Sequence, residues 1–391
     1  MNQICLRGIA WNHSRALSPL VAAGQRFEEH HPDTRILWEK RSLDEFGHSD
    51  LATLADAYDL LIVDHPMMGD VHASGTLTDL NPLLSAAALE ELESDALGNC
   101  LASYRYEECL YALPIDAAAP AASFRPDLLD HHNVQPAATW DEMLDIAHRG
   151  LVRMPGFPAD LFLNFMSMCV SRGSAVAVGD SLFEPEIAVR CLEELRELAS
   201  FMPDSIYSMN PIALYEEMAS GEKFAYCPFA FSYSNYSRPG FSPHILLFAI
   251  PPMLRDRIPL QTVLGGTGIA VSAKCPHRDE AVAFSLFVAS RTCQSGIYGF
   301  CGGQPASKTA WRDPLLNSVC NQFFFRTLIG IQTAYLRPRY SGFTAFQGMA
   351  GLPIGEHLRG AITAADALQQ LDDLYHRNRV TAGSAAEGAT S

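Results

Sequence analysis

The sequence predicts an α/β fold in two lobes, with a ligand cleft at the carboxyl ends of a mostly parallel sheet. Three observations carry this expectation. The chain has 391 residues, more than one hydrophobic core normally covers, and domains of about 150 to 200 residues are the usual outcome. Short apolar runs alternate with stretches of helical periodicity, which is the pattern of parallel strands joined by crossover helices. Residues 262–311 then set out a strand, a helix and a glycine turn in the order that leaves a crevice at a strand end.

Taken in order, residues 4–9 read as a first strand, followed by a loop, Trp11-Asn12-His13-Ser14-Arg15. A helix is expected from Ser18, a good N-cap, with Pro19 at its first position and Leu20, Ala23 and Phe27 on one face. Residues 35–39 and 60–63 are further strands, the latter ending in Asp64-His65-Pro66. A strand at 110–115 leads into the small-residue run 116–122, read as a crossing into the second lobe. Thr139 and Glu142 have capping-box spacing. Helices follow at 160–170, 184–199 and 211–219. Residues 224–231 and 245–250 are strands around a tyrosine-rich loop at 232–240.

The chain is expected to return to the first lobe near Leu264. Gly265, Gly266 and Gly268 precede a strand at 269–271, and Pro276, Asp279 and Glu280 open a helix with Ala281, Phe284 and Val288 on one face. Gly302 and Gly303 follow it. Residues 316–331 and 355–378 read as helices, and 380–391 as a disordered tail of small and polar residues. The expected lobes are 1–115 with 264–306, and 116–263 with 307–379.

Composition narrows the function. A formal net charge of −16 is the wrong sign for nucleic acid or an anionic membrane surface. No apolar run approaches the roughly 18 residues of a membrane span. The ten cysteines are scattered without a CxxC pair, the mark of buried free thiols in a reducing compartment. Residues 1–10 carry no secretory signal pattern, so the chain as given is expected to be cytoplasmic, and periplasmic if its natural precursor is longer. The thirteen histidines are dispersed, so neither a metal nor a cofactor is expected, and no nucleotide-binding, metalloprotease or serine-hydrolase motif is present.

Candidate site residues cluster at the expected strand ends. Trp11, Asn12, His13 and Arg15 combine an aromatic face, an amide, an imidazole and a guanidinium, the mixture that sugar and small-acid sites use. The plain alternative is a core tryptophan beside an exposed arginine. Asp64 and His65 end another strand, and as neighbours on an extended chain they are expected to point apart. Asp116 stands at the crossing. Tyr233 and Tyr236, with Asn235 and Arg238, form the expected ligand surface of the second lobe. Gly266, Gly302, Gly303 and Gln304 place backbone donors and an amide near the crevice, or serve conformation alone. Arg337 and Arg339, with Arg15, suit an anionic ligand. Cys301, just before Gly302, is the one thiol placed to act as a nucleophile.

The order GGTGIAVSA, an Ala- and Phe-rich helix, GGQP and then Trp311 resembles the family 1 extracellular solute-binding proteins of ABC importers, the maltose-binding-protein-like group. LPID at 113–116, PAATWDEM at 136–143 and GEKFA at 221–225 fit the same family. The resemblance covers most of the chain and implies a two-lobed periplasmic-binding-protein-like (type II) fold. It implies hinge closure on a carbohydrate or related polar solute, anionic ones included, for delivery to an ABC transporter permease. It also implies that a polar residue at Asp116 bonds the ligand. A cytosolic enzyme on the same fold is the alternative, with His13, Asp64 or His65 as its general acid or base.

Overall fold

The computed structural model describes residues 3–42, 51–177 and 181–379. They divide into two compact bodies. The first draws on Met1–Ala119, Tyr233–Phe241 and Leu264–Leu336, the second on Pro120–Ser232, Ser242–Val263 and Arg337–Ser391. The strands that organise them are β1 (Ile4–Trp11), β2 (Thr34–Arg41), β3 (Leu60–Val63), β4 (Leu113–Ala118), β5 (Pro120–Phe124), β6 (Tyr226–Phe231), β7 (Leu247–Ala249) and β8 (Gly265–Val271).

The first body is built on a five-stranded sheet in the order β2-β1-β3-β8-β4. β1 runs parallel to β2 and β3, whereas β8 is antiparallel to both β3 and β4. The carboxyl ends of β1, β3 and β4 and the amino end of β8 therefore share one edge of the sheet. Leu6, Leu60, Leu61, Ile62, Leu113, Ile115, Ile269 and Val271 fill its core, each fully buried. A buried side chain of this size contributes about 1.5 to 3 kcal/mol. Helices Ser14–His30 and Arg278–Ala289 cover the sheet, with Phe27 meeting Phe284 edge-on at 5.3 Å.

The second body holds a three-stranded antiparallel sheet, β6-β5-β7, and a helical layer in which Pro158–Ser171 packs on Phe343–Leu358. Gly351 makes that approach possible: a Cβ there would lie 1.7 Å from the Pro158 carbonyl oxygen. The capping box at Thr139 and Glu142 forms as its spacing predicts.

Several elements differ from the sequence reading. The first helix begins at Ser14, with His13 as its N-cap, and Pro19 lies inside it. Gly265, Gly266 and Gly268 are part of β8 rather than a turn before it. The strand expected at 110–115 is split into Cys109–Leu110 and β4. Left-handed Asn321 and Gln322 divide the helix expected at 316–331. The helix expected at 355–378 is two, Phe343–Leu358 and Ala364–Asn378, separated at Gly360 with φ of +78° and restarted by a capping box at Thr363.

Residues 233–241 and 307–336 pack with the first body, where the sequence reading placed them in the second. Non-local hydrogen bonds hold them there: the Ser234 amide donates to Gln304 Oε1 at 2.9 Å, and the Thr309 amide to Asp95 Oδ1 at 3.0 Å. The tail at 380–391 lies outside the described residues.

Candidate ligand-binding site

The sheet edge of the first body gathers residues far apart in sequence around one buried ion pair. β1 ends at Trp11, and the extended backbone of His13 turns the chain into the following helix, its Nδ1 accepting from the Arg15 amide at 3.0 Å. That cap aims Arg15 inward. Arg15 Nε lies 2.8 Å from one Asp116 carboxylate oxygen, and a terminal guanidinium nitrogen lies 2.5 Å from the other. Both side chains are almost wholly buried, at 4% and 0% exposure.

Burial acts against both charges. It pushes the Asp116 carboxyl up against the pull of Arg15, and it opposes the Arg15 charge, which the Asp116 carboxylate restores. The two hydrogen bonds of the planar guanidinium offset part of that cost.

Aromatic groups surround the pair. The Tyr233 ring stacks against the Arg15 guanidinium at 4.6 Å, and His13 meets Tyr233 edge-on at 5.0 Å. Tyr236 lies against Tyr233 and Phe241. Tyr298, fully buried, has a hydroxyl without a hydrogen-bond partner among the described residues, and burial and the Asp116 charge hold its proton on. Thr267 Oγ1, in β8 across from Asp116, is buried and unpartnered in the same sense, as are Ser234 Oγ and Asn235 Oδ1. Such groups are costly unless something else meets them.

Asp64 and His65 do meet, contrary to the sequence expectation. The chain turns into a short 3-10 segment at His65, so Asp64 accepts from the His65 amide at 2.8 Å and lies 3.2 Å from His65 Nδ1. His13 is held neutral: burial first, and then the Arg15 charge, lower it to about 4. A group that titrates there is a poor general base near neutral pH.

A model of bacterial extracellular solute-binding proteins matches residues 22–317. The chain belongs to the bacterial extracellular solute-binding protein family. No curated protein matches its sequence. Among solved structures, this solute-binding protein is similar to one from Agrobacterium radiobacter K84 in complex with ribitol, at 19% identity and TM-score 0.80, over 95% of this chain and 97% of that one. It is similar to maltose-bound MalE3 of T. maritima at 19% identity and TM-score 0.81, over 96% and 100% of the two chains. It is likewise similar to a Thermotoga lettingae protein bound with α-D-tagatose, at 17% identity and TM-score 0.81, over 96% and 99%. The fold is the two-lobed, maltose-binding-protein-like one.

Other residues of the solute-binding protein singled out by sequence have jobs within their own body. Gly266 has φ of +107°, and a Cβ there would lie 2.2 Å from the Asp116 carbonyl oxygen, so its role is the close approach of β8 to β4. Gly303 is pressed on the Tyr298 ring, and Gly302 has φ of +99°. The Gln304 amide donates to the Ala117 carbonyl at 2.8 Å and accepts from the Ser234 amide at 2.9 Å, tying β4 to the 233–241 segment. Asn12 is exposed, Trp11 is buried, and Arg339 is a half-buried residue of the second body. Arg337, also in the second body, donates to Gln347 at 2.9 Å.

The sequence reading missed Tyr298 and Asp160. Asp160 lies in the first turn of helix Pro158–Ser171, and burial raises its carboxyl to about 7. Among the described residues no helix is long and apolar enough to cross a membrane.

Proposed function

We propose that this protein binds a neutral polyhydroxylated solute, a sugar or a sugar alcohol, and delivers it to the permease of an ABC importer. The observation that carries the reading is the pairing of Arg15 with Asp116. Their charges offset, so the first body presents dipoles and an aromatic wall rather than a net positive charge. Tyr233 supplies a face for a sugar ring, and the hydroxyls of Thr267, Tyr298 and Ser234 with the Asn235 carbonyl supply partners for ligand oxygens. Trp11, Asn12, His13 and Asp64 border this edge. The ribitol, maltose and α-D-tagatose of the similar structures belong to the same chemical class.

The family's extracellular setting is proposed for this protein as well, and fractionation of the native cell tests it. A thermal-shift panel of neutral sugars and alditols, set beside their aldonate and uronate counterparts, tests the ligand class. Saturation at one hundred times the dissociation constant adds about 2.7 kcal/mol. A neutral compound that stabilises and is recovered unchanged supports the reading. Selective stabilisation by the anions, or recovery of a chemically altered compound, contradicts it.

A further inference from the structure

Gln304 lies in the turn that follows Tyr298, and it is fully buried. Two glycines deliver it. Gly302 has φ of +99°, and a Cβ there would lie 3.2 Å from the side-chain nitrogen of Asn235. The Gly303 amide donates to the Tyr298 carbonyl at 3.0 Å, and a Cβ on Gly303 would lie 2.5 Å from the Tyr298 ring. A side chain at 303 would therefore push the turn off Tyr298 and carry Gln304 with it. Beyond the turn Pro305 bridges to Asp116, and the Ala117 amide donates to the Gln304 carbonyl at 2.9 Å. The backbone at 304 is thus seated beside the buried ion pair.

The Gln304 side chain spans from there to a second segment. Its Nε2 donates to the Ala117 carbonyl at 2.8 Å, and its Oε1 accepts from the Ser234 amide at 2.9 Å. Ala117 follows Asp116 in β4, and Ser234 follows Tyr233, whose ring lies 4.6 Å from the Arg15 guanidinium. One primary amide thus sets the spacing between the carboxylate and the aromatic face that flank Arg15. Few side chains can replace it. Ala117 offers an acceptor and Ser234 a donor, so the bridge needs a donor on one arm and an acceptor on the other. Without it the Ser234 amide loses its partner where water does not reach, since Ser234 is fully buried.

We propose that Gln304 is a positioning residue of the binding site: without touching ligand, it holds Tyr233 on Arg15 and so sets the affinity for the solute. The ligand effect rests on the sugar-binding reading, whereas the seating of Tyr233 does not. Gln304→Met keeps the length of the side chain and removes both hydrogen bonds. Gln304→Glu keeps both only while its carboxyl is protonated, the O–H donating to Ala117 and the C=O accepting from Ser234. Once ionised, it sets a carboxylate oxygen against the Ala117 carbonyl. The ionisable groups on the elements packed against position 304 are Asp116 with Arg15, Tyr298 with Cys301, and Tyr233, Tyr236 and Arg238. The variants share all of them with the wild type.

The test joins amide hydrogen exchange of the full chain, read by mass spectrometry, to calorimetric titration with the neutral sugars and alditols of the thermal-shift panel, glucitol, xylitol and lactose among them. In Gln304→Met, exchange of the 233–238 peptide accelerates while that of helix Arg278–Ala289 is unchanged, and affinity falls by about fivefold to tenfold. Because Gln304 acts through Tyr233, adding Gln304→Met to Tyr233→Ala costs nothing further. Gln304→Glu binds as wild type in mildly acidic buffer and as weakly as Gln304→Met in alkaline buffer. Losses that add in the double variant overturn the proposal. So do unaltered exchange at 233–238, wild-type affinity in Gln304→Met, and a Gln304→Glu whose binding follows the wild-type pH profile. If no compound of the neutral panel binds the wild type, the sugar reading falls, and exchange at 233–238 alone decides whether Gln304 seats Tyr233. Should Gln304→Met not fold, Gln304→Glu supplies the same exchange comparison across pH.

Discussion

The Arg15 guanidinium closes two hydrogen bonds on the Asp116 carboxylate across 101 positions of sequence, and neither side chain is more than 4% exposed. This pair joins the start of the first helix to the end of β4, and it decides the electrical character of the sheet edge around it. Removing one partner strands a buried charge. Asp116→Ala is therefore expected to cost about 3 to 5 kcal/mol in urea unfolding, whereas Arg15→Met with Asp116→Leu recovers most of that loss. Additive losses in the double variant count against the pairing.

His13 gives the protein a pH signature. Its folded value of about 4 lies below the ordinary histidine value of 6.5, so the unfolded chain binds the proton more readily. Stability from this residue is fully present above the ordinary value and falls as pH drops toward the folded one. The loss is on the order of 2 kcal/mol. His13→Asn keeps an N-cap acceptor and removes the titration, so its stability is expected to stay flatter across that window. Equal slopes for variant and wild type contradict the assignment.

Asp160 runs the other way. With its carboxyl raised to about 7, folding favours the protonated form, and stability is lost as pH rises from the unfolded value through the folded one. Asp160→Asn is expected to be more stable than wild type by about 1 to 2 kcal/mol at slightly alkaline pH, because the amide carries no charge to bury. The advantage disappears in acid. A variant that is less stable than wild type at alkaline pH shows that the carboxylate has a partner.

Gly266 separates a conformational role from a ligand role. Gly266→Ala places a methyl 2.2 Å from the Asp116 carbonyl oxygen at a φ of +107°, and is expected to cost about 3 kcal/mol. Full stability with lost binding points instead to a backbone contact with ligand.

Much of this was legible in the sequence. Local rules place the Thr139–Glu142 capping box, the strand at 60–63 and the helices of the second body, because each is decided by neighbours within a few residues. The family followed from ordered motifs. Local rules also misled: Ser18-Pro19 reads as a helix start, yet packing extends the helix back to Ser14, with a histidine as cap. Asp64 and His65 looked like strand neighbours until the chain turned between them. The home of 233–241 depends on Gln304, about 70 residues away, and no periodicity reports such a bond. Tyr298 is ordinary in sequence and matters only through the Asp116–Arg15 pair that topology brings to it.

The most direct measurement is calorimetric titration of the wild-type protein and Tyr233→Ala with neutral sugars and alditols, and with the carboxylates derived from them. The account predicts that a neutral compound binds wild type and its carboxylate counterpart does not, and that Tyr233→Ala weakens binding by about tenfold or more, the loss of roughly 1.4 kcal/mol of ring contact. Tighter binding of the carboxylate, or unchanged affinity in Tyr233→Ala, would contradict a neutral, aromatic-walled sugar site built around Arg15 and Asp116.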